Sequence, residues 1–71
     1  MSFVVYEVDW VTGLKTNPKT FSVRDNARDN ALELIEGWRE GSDWITVQNG
    51  RFLIFTQSGL LDFGALITEV A

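Results

Sequence analysis

Glu7 and Asp9 stand two residues apart in a run of alternating residues, so an extended chain carries both carboxylates on one side. Paired carboxylates are the equipment of glycoside hydrolysis and of oxygen-ligand cation sites. The same pair arises wherever one side of a strand is simply wet, and that plainer reading carries more weight. A second acidic group, Asp29, Glu33, Glu36 and Glu40, recurs at helical spacing. It offers a face for a basic partner, or no more than the solvated side of a helix. Lys15, Lys19 and Arg51 would make a small nucleic-acid patch if the fold brought them together. Scattered, they are only solubilising charges.

Little else in the chain can do chemistry. Cysteine and histidine are both absent, which removes disulfides, thiolate metal ligands and the commonest general base. Ser2, Ser22, Ser42 and Ser58 therefore have no histidine to activate them. Asp62-Phe63-Gly64 spells the magnesium-binding triplet of protein kinases, but the glycine-rich loop and catalytic loop that give it meaning are missing. There is no phosphate-binding glycine loop either. The expectation is a protein without enzyme activity, cofactor or required metal.

Charge narrows the partners. Asp and Glu number 10 against 6 Lys and Arg, a net charge of −4. Affinity for a phosphate backbone comes from Lys and Arg displacing counterions, so this balance weighs against nonspecific nucleic-acid binding. The first ten residues lack a basic n-region, and acids interrupt their apolar run. No apolar stretch approaches bilayer length. The expected setting is the cytoplasm, the protein's own or a host's, with no membrane contact.

The elements that must position these residues follow from periodicity. A chain of 71 residues is read as a single domain, 1–71. Residues 3–10 alternate with period two and read as a strand. Val4, Tyr6, Val8 and Trp10 make one wholly apolar side, expected to face the core; Phe3, Val5, Glu7 and Asp9 make the other. Gly13 and Asn17-Pro18 mark residues 11–19 as a loop, returning to a short strand around Lys19–Ser22. Ser22 and Asp25 fit a capping box, and Val23, Ala27, Ala31, Leu34, Ile35 and Trp38 form an apolar helix stripe. Gly37 interrupts that helix, and Gly41 suits its C-terminal cap.

Asn49-Gly50 between Asp43–Gln48 and Arg51–Gln57 is the strongest short-range signal for a two-residue hairpin. Such a loop fixes the register. Gln48 opposes Arg51, Val47 opposes Phe52, Thr46 opposes Leu53, Ile45 opposes Ile54, and Trp44 opposes Phe55. Residues 60–65 read as a turn or a single helical turn, and Leu66–Val70 as a last strand. The fold class is therefore α+β: one helix on an antiparallel sheet of four to five strands, in the order β-β-α-β-β-(β).

One helix covers one face of a sheet. The hairpin register groups Ile45, Val47, Phe52 and Ile54 for the helix, and leaves Trp44, Leu53 and Phe55 on the other side with Phe3 and Val5. An apolar group left uncovered usually marks an interface, unless Leu60, Leu61 and Phe63 fold back over it. The expected function is a small protein-binding module: an adaptor, regulator or inhibitor of the type phages and mobile elements use. It would act through Phe3, Val5, Trp44, Leu53 and Phe55, or through the acidic helix face, on another protein or on a second copy as a homodimer. The alternative is a nucleic-acid contact through Lys15, Lys19 and Arg51.

Overall fold

The computed structural model describes residues 1–38, 44–56 and 59–70, with side-chain surroundings left undescribed at Trp44, Thr56, Leu60 and Leu61. The chain is α+β, with one helix packed on a five-stranded antiparallel sheet. Its elements are β1 (Ser2–Asp9), β2 (Lys15–Phe21), α1 (Arg24–Trp38), β3 (Trp44–Gln48), β4 (Arg51–Thr56) and β5 (Gly59–Val70). The strands run across the sheet in the order β2-β1-β5-β4-β3. The last strand is thus inserted at the centre, paired with β1 on one side and β4 on the other.

The β3–β4 hairpin has the expected register, from Gln48↔Arg51 through Trp44↔Phe55. Asn49 and Gly50 have φ of 52° and 77°, as a type I′ turn requires. The turn is also docked: Ile67 N–H donates to the Gly50 carbonyl at 2.9 Å, tying it to the central strand.

Residues 60–65 are not a turn. They lie inside β5, and the irregularity shows instead as a register shift opposite Leu53–Phe55. Gly64 and Asp62 suggested a turn because glycine and aspartate are turn formers. Pairing on both sides of a central strand overrides that local preference. Leu60, Leu61 and Phe63 therefore belong to the sheet and do not fold back across a face.

The β1–β2 connection is also tighter than the sequence indicates. The chain reverses between Asp9 and Leu14, where Asp9 N–H donates to the Leu14 carbonyl at 3.0 Å and Gly13 N–H to the Asp9 carbonyl at 2.8 Å. Asn17 and Pro18 lie within β2, not in a loop. Val5 pairs with Lys19 and Glu7 with Thr16, so β2 carries an extra residue there, with Asn17 at φ 50°. An edge strand with a bulge is the setting in which a sheet tolerates proline.

The core lies between α1 and the β1–β5–β4 part of the sheet. Val5, Ala27, Ala31, Ile35, Phe52, Ile54 and Ala65 are buried there, with Phe3, Phe21, Leu32, Leu34, Trp38, Ile45 and Ile67 packed around them. This reverses the expected sides of β1: Phe3 and Val5 meet the helix, while Val4, Tyr6, Val8 and Trp10 lie on the far face. Both sides of β1 offer apolar residues, so alternation cannot choose between them. β2 and β3 run in the same direction, so α1 is a crossover between parallel strands, and the handedness of such crossovers selects the covered face.

The helix stripe is shifted as well. Ala27, Ala31 and Ile35, four residues apart, form its buried centre. Leu34 and Trp38 are half-buried at its flank, Leu32 joins from the other side, and Val23 is 49% exposed ahead of the helix. The two alanines let the helix backbone approach the sheet, and Ile35 is fully buried beside them. Gly41 and Glu40 lie outside the described residues. No described helix is long and apolar enough to cross a membrane.

Candidate functional site

The face of the sheet opposite α1 is built by alternation. Val5, Ala65 and Phe52 point to the helix, so their neighbours Val4, Tyr6, Val8, Leu66, Arg51 and Leu53 point away. Trp10 follows on the same side just past the end of β1. Phe55, paired with Leu60, extends the face toward β3. Tyr6, Leu53, Phe55 and Leu66 are half-buried, and no described element packs over Tyr6, Leu53 and Leu66.

Two aromatic rings on this face carry cations. The Lys15 ammonium lies 5.6 Å from the centre of the Tyr6 ring, and the Arg51 guanidinium 5.4 Å from that of Trp10. Lys15 pairs with Val8 across β1–β2, and Arg51 with Leu66 across β4–β5, so both stems start on the outer face. Between them runs a groove lined by Val8, Trp10, Lys15, Arg51, Leu53 and Leu66. The Trp10 indole rests on Gly64, where even a methyl group would overlap Trp10 Nε1 and the Phe52 carbonyl. Val8 is buried beside it.

Most of the described acids lie on the other side. Glu7, Asp9 and Glu69 share the helix face of the sheet by register, and Asp25, Asp29, Glu33 and Glu36 are exposed on α1. The outer face is therefore largely apolar, with Lys15 and Arg51 at its margin and the exposed Asp62 beside Trp10 at one end, although the whole chain is acidic.

The expected site residues divide between the two faces. Leu53 and Phe55 are on the outer face as expected. Phe3 and Val5 are not: they pack under the helix. Trp44 pairs with Phe55, which puts its backbone position in line with the outer group, while its side chain lies outside the description. Lys15 and Arg51 converge on the outer groove, whereas Lys19 pairs with Val5 and starts from the helix face at the β2 edge. Tyr6, Trp10 and Leu66 were missed. Tyr6 and Trp10 shared an apolar side that was assigned to the core, and Leu66 could not be placed without knowing that β5 is central.

Glu7 and Asp9 have structural occupations. Asp9 Oδ1 accepts the Val11 N–H at 2.9 Å and the Thr12 N–H at 3.4 Å, holding the turn that follows β1. The Glu7 carboxylate accepts a hydrogen bond from the Asn17 side-chain amide, steadying the bulge in β2. Among the described residues, no group of three or more acids is placed to hold a metal ion. No protein-family model, characterised protein or solved structure matches this chain.

Proposed function

We propose that this is a non-enzymatic protein-binding module that engages its partner through the outer face of the sheet. The observation that carries this reading is the half-buried apolar surface of Tyr6, Leu53 and Leu66 on the face away from the helix, with Lys15 and Arg51 at its margin. A contiguous apolar patch with a polar rim is the common anatomy of a protein interface, and aromatic residues and arginine are enriched there. The basic margin fits a partner surface that is apolar at its centre and acidic at its edge. The module would serve as an adaptor, regulator or inhibitor, in a cytoplasmic setting.

A nucleic-acid reading has one observation in its favour, the meeting of Lys15 and Arg51 beside Tyr6 and Trp10. Bases stack on open aromatic faces. Here the two cations lie over those faces, and the net charge of −4 opposes a phosphate backbone. Protein is the better occupant.

The test uses immobilised wild-type chain, Leu53→Glu on the outer face and Glu33→Lys on the helix. Proteins captured from host extract are identified, purified and titrated against all three. A partner that binds wild type and Glu33→Lys alike, and Leu53→Glu at least tenfold more weakly, supports the outer face. Loss with Glu33→Lys alone would move the interface to the acidic helix. Binding of a single-stranded oligonucleotide, lost in Arg51→Ala and weakened steeply by salt, would replace the protein reading.

A further inference from the structure

The two edges of the sheet are treated differently by the sequence. A free edge offers unpaired N–H and C=O groups, and proteins blunt such edges with lysine, proline or bulges. β2 carries all of these: Lys15, Lys19, Pro18 and the bulge at Asn17. β3, the opposite edge, reads Trp-Ile-Thr-Val-Gln, with no charge, no proline and no bulge. Thr46, Val47 and Gln48 are exposed along it, Val47 by 50% although it is a valine on the core side.

We infer that β3 pairs with β3 of a second copy of this chain, antiparallel about a twofold axis at Thr46, joining two sheets into one continuous sheet. The hairpin fixes which groups are free. Its two-residue loop makes Gln48 and Arg51 a hydrogen-bonded pair, and the pattern then alternates along the strands. The backbone groups of Thr46 therefore turn inward to β4, and those of Ile45 and Val47 turn outward. A twofold at Thr46 sets Ile45 against Val47 of the other copy, and Val47 against its Ile45. The outward groups meet one another as donors and acceptors.

The side chains agree with that register. Ile45 and Val47 both lie on the helix side, so the pairing covers the exposed valine with an isoleucine that already packs on the core. Thr46 meets Thr46 on the outer side, a favourable cross-strand pair. Trp44 falls opposite Gln48. No like charges are brought together, because the strand has none. A strand that is its own complement in backbone pairing, face and charge points to a copy of itself as the occupant. The edge contact leaves the outer face of each sheet free for the partner proposed above.

Light scattering coupled to gel filtration tests this on the intact chain. Wild type should have twice the mass of the 8.0 kDa chain. Val47→Pro removes only an outward N–H and should give a single-chain mass with an unchanged circular-dichroism spectrum. Thr46→Lys and Thr46→Glu, at an exposed position, should each be monomeric through like-charge repulsion, and an equimolar mixture should recover the double mass. A monomeric wild type would overturn the inference. So would dimers that persist in Thr46→Lys, or that dissociate only when the outer face is changed by Leu53→Glu.

Discussion

The Trp10 indole rests against Gly64 of β5, which has no side chain to displace it. Trp10 is just past the end of β1 and Gly64 is in the strand beside it, so the contact exists only because the last strand enters the centre of the sheet. It supports the ring over which Arg51 sits and shapes one end of the outer groove.

Gly64→Ala should be strongly destabilising for this reason. A methyl group there meets the indole and also the Phe52 carbonyl, and backbone cannot step aside as a flexible side chain can. A loss of about 3 kcal/mol in urea unfolding is expected, at the upper end for overpacking. Trp10→Ala in the same chain should relieve only part of it, since the carbonyl remains. Full relief would assign the whole clash to the indole.

The hairpin turn makes a second prediction. Gly50 has φ of 77°, and a Cβ there would approach the Ile67 carbonyl oxygen to 2.9 Å. Gly50→Val meets both obstacles and should lower stability by about 2 kcal/mol or more. Asn49→Gly keeps the left-handed conformation open and should change the melting temperature little. Equal effects of the two would place the strain elsewhere.

Gly37 behaves in the opposite way. It is inside α1, and a Cβ there meets nothing within 4 Å. Gly37→Ala should therefore stabilise the fold by about 0.5–1 kcal/mol, through helix propensity and a less flexible unfolded chain. A loss of stability would mean that the helix is bent or crowded at that turn.

The rotation of the helix stripe sets an order of costs. Ile35 is buried and Leu34 half-buried, whereas Glu33 is exposed. Ile35→Ala should cost about 2–5 kcal/mol, Leu34→Ala distinctly less, and Glu33→Ala almost nothing. Thermal melts of the three variants are enough to read the order. Leu34 as the most costly position would restore the stripe read from spacing alone.

The sequence by itself determined what is local. Asn49-Gly50 fixed a turn type, the turn fixed a register, and the register separated Leu53 and Phe55 from Phe52 and Ile54 without further information. The presence of α1 and the α+β class followed from apolar spacing in the same way. Only the tertiary structure decided which side of β1 is inside, because Phe3 and Val5 compete with Tyr6 and Trp10 on equal hydrophobic terms. Only it turned residues 60–65 into strand, because pairing with both β1 and β4 outweighs the turn preference of Asp62 and Gly64. Lys15 and Arg51, distant in the chain, reach one groove for the same reason: the central strand sets the spacing between the two hairpins. Hydrophobic pattern is a property of each segment, whereas the covered face and the strand order are properties of how segments meet, set by chain handedness and pairing across long sequence separations.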